Sequence, residues 1–473
     1  MSFEYQGWER EHFGGAQLSD LRRVRRVVTL ASAMSENPGG SIPELFQRPY
    51  DIKAAYNLFK HPEATPDSLQ AGHRDLVRVR MREPGTILLL EDTSELIWRN
   101  GEPIEGLGPV GSGSDFKQGF LLHSVLAVRW AEAVSAQTGE RRPPLSILGL
   151  ANQQYYVREP IPDGENGNGS KYRMKRQRES RLWLESGEQL GPAPEGIRWV
   201  RICDRGADMY EFLLSCQDLN HGFVVRAAQD RGLVGTAMRL FERARGVPSF
   251  GDFSLSLRAR PQHSARVATL SVSATEVTLR SPQRPGSSPG RLAPVTCTVV
   301  RVWEEQAPEG VTPLEWILLT DQKVEILVEA IVCAQQYATR WTIEEFHKAL
   351  KTGLGAERLQ LESAHRLFAA ISIMSVVALR LVDLKERVRV MPEAPAAESG
   401  FEPLDLKVLS LKLSRELKTV RDVALAIGRL GGHMNRKGDG MPGLITLWKG
   451  TQKLQALVAG ATLGLKLRDL GNA

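Results

Sequence analysis

Three acidic residues stand where the sequence predicts a metal-dependent site. Asp92 ends the apolar run TILLLED and Asp204 ends the run IRWVRICD, while Glu344 lies within the segment YATRWTIEEFHKALK. We expect the two runs to be neighbouring strands of one sheet, with Glu344 on a helix that packs against it. Carboxylates a few ångströms apart raise one another's pKa unless a cation lies between them. The three residues therefore predict a site for hard divalent cations such as Mg²⁺.

The segment 337–351 predicts a helix that carries one narrow polar stripe. At about 100° per residue, five of its side chains fall within an arc of about 80°: Tyr337, Arg340, Glu344, Lys348 and Lys351. A solvated helix face is the alternative interpretation, but such a face normally spreads its charge widely and lacks aromatic residues. A carboxylate among basic and aromatic groups, together with two aspartates, predicts phosphoryl transfer on nucleic acid. In that reaction two ions about 3.5–4 Å apart activate a water or a 3′-hydroxyl and stabilise the leaving oxygen.

Side-chain direction decides between adjacent acids. Glu345 lies off the polar stripe, and Glu91 points to the opposite face of its strand from Asp92. Each aspartate also has an ordinary interpretation, because Asp-Thr-Ser and Asp-Arg-Gly are common strand-to-turn exits with Asx capping. The coincidence of both aspartates with the striped helix favours a catalytic role for Asp92, Asp204 and Glu344.

The first part of the chain predicts a helical, basic surface. Asp20 is an N-cap candidate, and the valines of the following LRRVRRVV segment lie on one side of the predicted helix. Its arginines share the other side: Arg22, Arg23, Arg25 and Arg26. A solubilising face is the alternative, although arginines without interleaved glutamates favour phosphates as partners. The net charge of +6 agrees with a polyanionic partner.

The order of predicted elements indicates a mixed α/β fold in three domains. Residues 1–75 are predicted to be helical, as are residues 361–473. Residues 76–360 hold strands and helices in the order βββαβαβ, interrupted by a β insertion at about 232–313. An antiparallel opening followed by βα units predicts a mixed sheet with helices on its faces.

The composition excludes several other classes of protein. The four cysteines form no C-x-x-C pair and have no histidine at ligand spacing, which predicts reduced core residues in a cytosolic protein and no zinc site. The N-terminal residues lack the apolar core of a signal peptide. No uncharged apolar run reaches about 18 residues, so we expect no membrane partner.

Several motifs resemble those of a known family. Tyr337, Arg340, Glu344 and Lys351 have the spacing of a Y-R-E-K signature, and the segments EDTSEL, CDRGAD, FVVR, TPLEW and GRLGGHM agree as well. On these residues the chain is identified as a member of the bacterial DDE cut-and-paste transposases of the insertion-sequence-four family, within the transposon-five group. Trp8 and the segment DLRRVRR are similar to the end-recognition domain of that family. The likeness covers nearly the full length of the chain.

The resemblance implies a fold and an activity. The fold is an RNase-H-like catalytic core with a β-strand insertion, flanked by an N-terminal helical DNA-end-binding domain and a C-terminal helical dimerisation domain. Asp92, Asp204 and Glu344 match the residues that bind two Mg²⁺ ions, with Mn²⁺ as a substitute. In that family they nick the transposon end, form and resolve a DNA hairpin, and join the freed 3′-hydroxyl to target DNA. A homodimer in the synaptic complex and a nucleoid-associated location in the bacterial cytoplasm are also implied.

The resemblance also implies DNA contacts. Tyr337, Arg340 and Lys351 match residues that hold phosphates beside a flipped base. Trp316 matches the aromatic residue on which that base stacks, although a core tryptophan is the alternative, and Arg226 matches a nearby DNA contact. The expected DNA-binding set is completed by Lys348 on the same stripe and by three N-terminal arginines: Arg22, Arg23 and Arg26.

Two departures from the family pattern bear on the DNA contacts, and two other functions fit the same residues. The basic segment KYRMKRQR (171–178) lengthens the connector between the aspartates, and Ala228 stands where relatives can carry a basic residue. A metal-dependent DNA nuclease that cuts without strand transfer would use the same acids. A catalytically silent DNA-binding repressor would have no reason to keep three carboxylates that repel one another without a metal.

Overall fold

Helices surround one large sheet in the described part of the chain. The computed structural model describes these residues: 7–98, 102–111, 117–130, 145–159, 179–257, 266–282, 292–436 and 439–471. The helices are: α1 (Trp8–Phe13), α2 (Leu21–Glu36), α3 (Ile42–Leu45), α4 (Pro49–Lys60), α5 (Pro66–Arg80), α6 (Arg181–Leu190), α7 (Tyr210–Asp218), α8 (Leu240–Arg245), α9 (Leu327–Ala338), α10 (Trp341–Lys348), α11 (Ala364–Val390), α12 (Pro403–Leu413), α13 (Val420–Leu430) and α14 (Leu444–Gly471). The strands are: β1 (Thr86–Trp98), β2 (Gly108–Pro109), β3 (Gln118–Trp130), β4 (Leu145–Tyr156), β5 (Arg198–Cys203), β6 (Gly222–Arg226), β7 (Gly251–Leu257), β8 (Arg266–Leu279), β9 (Val295–Trp303) and β10 (Glu315–Thr320).

The centre of the sheet has the ribonuclease-H-like order of strands. Strand β1 is antiparallel to β3 and parallel to β5, β5 is parallel to β6, and β4 is antiparallel to β3. Leaving aside the two-residue β2, the first five strands of the chain therefore lie in the order third, second, first, fourth, fifth. This arrangement confirms the predicted mixed α/β fold and RNase-H-like core.

Strands β7, β8 and β9 form the predicted β insertion and extend the same sheet. Strand β10 pairs antiparallel with β6 on one side and with β9 on the other, and β8 and β7 follow in turn. Helix α8, which the sequence analysis did not predict, precedes these strands. The insertion therefore lengthens the central sheet instead of forming a layer of its own.

Strand β1 is longer than predicted, so the prediction that Asp92 ends it was wrong. Strand β3 pairs with β1 from Thr86 to Trp98, whereas the pairing with β5 ends at Leu90. The antiparallel partner carries β1 past Asp92, which therefore lies within the strand. A local apolar run could not predict this, because the extension depends on a partner strand.

The single helix predicted over 337–351 is divided in the structure. Helices α9 and α10 are separated by two residues at which the backbone tightens. There the N–H of Thr342 donates to the carbonyl of Thr339 at 2.9 Å, which is 3₁₀ bonding. Helix α10 then passes into a π-helical turn at Ala349–Gly353. Arg340 therefore lies at a joint, and the uniform 100° spacing behind the predicted stripe does not hold across it.

Helix α2 begins where the sequence predicts. The side chain of Asp20 accepts a hydrogen bond from the N–H of Arg22 at 2.8 Å, which caps the helix. The apolar face of α2 is buried, including Val24, Val27 and Val28. The local pattern therefore predicted both the start and the orientation of this helix.

Helix α11 lies in the interior of the protein. Among the described residues it is the one helix with the length and composition of a membrane span, with a mean hydropathy of 2.1, and 83% of that apolar window is buried. It contacts α2, α4, α5 and β4. The sequence analysis did not single it out, because Arg380 interrupts its apolar run.

The four cysteines are buried and unpaired, as predicted. Burial raises the pKa of every one of these thiols, to about 12 for Cys216, Cys297 and Cys333. They are therefore core thiols. The basic segment 171–178 lies outside the described residues.

Candidate active site

Asp92 and Asp204 follow the end of the pairing between two parallel strands. The last paired residues of β1 and β5 are Leu90 and Ile202, and each aspartate comes two residues after one of them. Strand β5 ends just before Asp204, which begins a 3₁₀ turn, and its Oδ1 accepts a hydrogen bond from the N–H of Gly206 at 2.7 Å. The backbone thus brings the two predicted aspartates to one place on the sheet.

Arg340 joins Asp92 to Glu344. Its Nη1 lies 3.7 Å from Oδ1 of Asp92, and its Nη2 donates to Oε1 of Glu344 one helical turn further on. The three side chains are sheltered: 14% of Arg340, 18% of Asp92 and 33% of Glu344 is exposed. Burial would lower the pKa of Arg340, but Tyr337, Glu344 and Asp92 together raise it above its ordinary value. The guanidinium is therefore a permanent cation between two of the predicted catalytic carboxylates.

His347 is a neighbour of Asp92 that the sequence analysis did not single out. Its Nδ1 lies 3.5 Å from Oδ2 of Asp92, and its side chain is 7% exposed. Burial would raise the pKa of Asp92, but the contact with His347 and the charge of Arg340 hold it below its ordinary value. The position of His347 three residues after Glu344, on the same helix face, was the signal that could have found it.

Trp316 and Tyr337 pack together in the interior. Their ring centroids are 5.1 Å apart at an interplanar angle of 67°, and they are 7% and 5% exposed. Arg226 lies beside Tyr337, and its Nη2 donates to the carbonyl of Glu315 at 3.0 Å. Burial lowers the pKa of Arg226, and Tyr337 opposes that shift. The structure thus places Trp316 at a core position next to the tyrosine of the Y-R-E-K signature.

The two lysines of the predicted stripe have different surroundings. Lys348 is exposed. Lys351, in the π-helical turn, donates from Nζ to the carbonyl of Glu95 at 2.6 Å and lies 3.2 Å from Oε1 of Glu357. Lys351 therefore ties the end of the helix to the far part of β1, while Lys348 faces solvent.

The N-terminal arginines lie on α2 with unequal accessibility. The side chain of Arg22 is 87% exposed, whereas that of Arg23 is 33% exposed and lies 3.3 Å from Glu63. Arg26 is 19% exposed and forms an ion pair with Asp51 at 2.7 Å. Of these three expected DNA contacts, Arg22 is the most accessible to a polyanion.

A buried charge cluster lies on the opposite face of β1 from Asp92. Arg201 donates from Nε and Nη2 to the two carboxylate oxygens of Glu91 at 2.5 and 2.8 Å, and Nη2 also donates to the carbonyl of Trp183 at 2.6 Å. Nε2 of His123 lies 3.5 Å from Glu91, and all three charged or titratable side chains are fully buried. An arginine inside an apolar strand was the sequence signal for this cluster, and the sequence analysis missed it.

The three carboxylates fit a hard divalent cation in donor type. In the stretches that the structure describes, however, no group of three or more His, Cys, Asp or Glu side chains is arranged to hold a metal ion. Glu344 bonds to Arg340, which also contacts Asp92. A cation shared by all three acids therefore requires Arg340 to leave this position.

Two family models match the chain, one near each end. The model described as transposase DNA-binding matches residues 5–64, and the model described as the transposase Tn5 dimerisation domain matches residues 376–470. A chain that carries both of these domains is a transposase, a DNA-processing enzyme. Together the two matches support the Tn5-like transposases of the insertion-sequence-four family that the motifs predicted.

One solved structure is also similar to the chain. It is described as the cryo-EM structure of the piggyBac transposase synaptic complex with hairpin DNA, and the match covers 92% of this chain and 77% of that chain. The sequence identity is 9% and the TM-score is 0.35. Because this TM-score is low, the fold assignment rests on the order of the strands in the sheet and not on this similarity.

Proposed function

We propose that the protein is a cut-and-paste DNA transposase whose active site is formed by Asp92, Asp204 and Glu344. The observation that supports the proposal is the pairing of β1 with β5, in which Leu90 and Ile202, each two residues before one of the aspartates, lie opposite each other. Arg340 connects Glu344 to the same point by contacting Asp92. The family assignment supplies the reaction class, and the acids supply the chemistry that it requires.

Each group in the proposed site has a separate task. The three carboxylates would hold two Mg²⁺ ions, or Mn²⁺ in their place, which would supply activation of a water or a 3′-hydroxyl and stabilisation of the leaving oxygen. Tyr337, Arg340 and Arg226 hold DNA phosphates, and the exposed Lys348 adds positive charge at the same helix. Lys351 needs to leave Glu95 and Glu357 to reach a phosphate, and Trp316 needs an opening of its core position to stack on a flipped base.

The two flanking regions provide the partners of the reaction. We assign transposon-end binding to residues 1–75, with Arg22, Arg23 and Arg26 as contacts, catalysis to residues 76–360, and homodimerisation in the synaptic complex to residues 361–473. The protein nicks the transposon end, forms and resolves a hairpin, and joins the freed 3′-hydroxyl to target DNA. It acts at the nucleoid of the bacterial cytoplasm. The two family matches support this division of labour.

The replacement Glu344→Gln tests the catalytic assignment. It removes one carboxylate of the metal site while keeping the shape of the side chain, and we expect cleavage of a transposon-end duplex to fall by about a thousandfold or more, because the ions contribute several kcal/mol to transition-state stabilisation. Binding of the same duplex, measured by fluorescence anisotropy, should change little.

Glu345→Gln is the matched control for Glu344→Gln. Glu345 is the adjacent residue, and it forms an ion pair with Lys385 of α11, so cleavage should persist. Persistent Mg²⁺-dependent cleavage by Glu344→Gln would remove Glu344 from the catalytic role. Cleavage by the unmodified protein without joining of a precut end to plasmid DNA would identify a nuclease, and tight end binding without cleavage in either metal would identify a repressor.

A further inference from the structure

Arg340 occupies the position between Asp92 and Glu344 that a cation held by these acids would take. Its guanidinium contacts both carboxylates at once, and 14% of its side chain is exposed. We propose that Arg340 is an internal counter-ion that excludes divalent cations from the DNA-free protein and yields its place when a backbone phosphate draws the guanidinium away. This inference rests on the proposed function, because it concerns the same carboxylates.

The charge around Arg340 explains why it excludes a cation. Asp92 and Glu344 share one guanidinium, so a single positive charge neutralises the two carboxylates only in part. A divalent ion that enters while Arg340 is present meets a positive charge that is hydrogen-bonded to Glu344 and 3.7 Å from Asp92, which disfavours binding. Removal of that charge leaves the acids without this partner and favours a divalent ion.

The guanidinium of Arg340 can replace one anionic partner with another. Arg340 lies at the 3₁₀ joint between α9 and α10, where the regular helix is interrupted. A guanidinium presents a fork of donors that matches a phosphate as well as a carboxylate. The charge of Arg340 also lowers the pKa of Arg226, whose guanidinium donates to the carbonyl of Glu315 at 3.0 Å. A DNA phosphate can therefore compete for Arg340 against Asp92 and Glu344.

This exchange makes cation binding and DNA binding mutually dependent. A phosphate that removes Arg340 from the acids improves the site for the cation, and a bound cation releases Arg340 for the phosphate. Thermodynamic linkage requires the two effects to be equal in size. The site would thus acquire its ions together with its substrate, and the free protein would hold them weakly.

The test measures Mn²⁺ binding to the full chain without DNA, by electron paramagnetic resonance of the free ion. We expect Arg340→Gln, which removes the charge and keeps a hydrogen-bonding side chain, to bind Mn²⁺ at least about tenfold more tightly than the unmodified protein. Arg340→Lys keeps the charge and should retain most of the exclusion. Equal or weaker Mn²⁺ binding by a folded Arg340→Gln variant overturns the proposal, and circular dichroism with a melting temperature establishes folding.

Two further variants show where the Mn²⁺ binds. Arg366→Gln is the control, because Arg366 also pairs with an acid four residues away in the chain, Glu362, and its Mn²⁺ affinity should equal that of the unmodified protein. Adding Glu344→Gln to Arg340→Gln should reverse the gain, whereas a gain that survives this change places the ion elsewhere and overturns the proposal.

A short DNA duplex supplies the second arm of the test. The duplex should tighten Mn²⁺ binding to the unmodified protein severalfold. It should have no such effect on Arg340→Gln, because that variant lacks the guanidinium that a phosphate would draw away from the acids. A duplex effect of the same size in both proteins contradicts the role of Arg340. These readouts are independent of turnover, so absence of DNA cleavage with normal Mn²⁺ coupling would count against the proposed function and leave this inference standing.

Discussion

At the scale of single residues, the burial of Trp316 shows that it is a core residue in the DNA-free protein. The sequence leaves two roles open for this tryptophan, a platform for a flipped base and a core residue. In the structure it is 7% exposed and packs edge-on against Tyr337. A side chain in this environment contributes to stability before any DNA is bound, since large aromatic side chains dominate the packing energy of a core. Stacking on a base would then require a local rearrangement of the same residue.

Replacement of Trp316 tests its place in the DNA-free protein. Trp316→Ala should lower the free energy of unfolding by about 3–5 kcal/mol, as expected for loss of a buried aromatic side chain. Trp316→Phe keeps a ring beside Tyr337 and should cost less. Urea unfolding followed by circular dichroism measures both. A loss below about 1 kcal/mol for Trp316→Ala would mean that the ring is exposed in solution.

At the scale of secondary-structure elements, the proposed active site depends on the pairing of β1 with β5. On one face of these strands lie Asp92 and Asp204, and on the other Arg201 binds Glu91 with two hydrogen bonds. Burial would raise the pKa of Glu91, but Arg201 and His123 hold it at about 2. Both partners are therefore charged at neutral pH. The ion pair links β1 to β5 on the face opposite Asp92.

Single and double replacements of this ion pair should have opposite consequences. Arg201→Met leaves the carboxylate of Glu91 buried without its partner, which should cost about 3–5 kcal/mol of unfolding free energy. The double variant Glu91→Leu with Arg201→Met removes both charges and should recover most of that loss.

Chemical denaturation of both variants measures this coupling. A double variant no more stable than Arg201→Met alone would contradict it. That result would point to the contact of the Arg201 guanidinium with Phe212 as the main contribution, since its Cζ lies 4.3 Å from the centroid of that ring.

At the scale of the whole molecule, two buried histidines join the N-terminal helices to the sheet. Nε2 of His73 in α5 accepts a hydrogen bond from the N–H of Leu150 in β4 at 2.9 Å, so its proton is on Nδ1. That Nδ1 lies 2.8 Å from Nδ1 of His12 in α1, which must accept. Both rings are therefore neutral in the folded protein. Protonation of either ring would turn its accepting nitrogen into an N–H donor that faces another N–H donor.

This junction predicts that acid destabilises the protein. Burial, with the charges of Arg80 and Arg380, lowers the pKa of His12 to about 3, and burial also lowers the pKa of His73 far below its ordinary value. In the unfolded chain both titrate near 6.5. Between these pH values the unfolded state binds more protons, so stability is complete above about pH 6.5 and falls as the pH decreases.

The variant His12→Asn isolates one of these groups. An asparagine oxygen can accept from Nδ1 of His73 but does not titrate. Between pH 7.5 and 5.5 the unmodified protein should lose about 1.4 kcal/mol more unfolding free energy than His12→Asn. Urea unfolding at the two pH values measures the difference. Equal losses would mean that His12 titrates alike in the folded and unfolded chain.

The sequence by itself determined the features that depend on local pattern. The alternation of apolar runs and turns predicted the mixed sheet, the spacing of the valines predicted the buried face of α2, and side-chain alternation predicted that Glu91 faces away from Asp92. Motif spacing predicted the family, which the two domain matches confirmed. These features could be predicted because periodicity and capping act between residues a few positions apart.

Only the tertiary structure decided the features that depend on distant partners. Strand β1 passes Asp92 because β3 pairs along it, and the helix over 337–351 divides at Arg340, which then contacts Asp92. The contacts of His347 with Asp92 and of Arg201 with Glu91 join residues more than a hundred positions apart. A one-dimensional pattern carries no information about such distances, because they are set by the packing of helices and strands against one another.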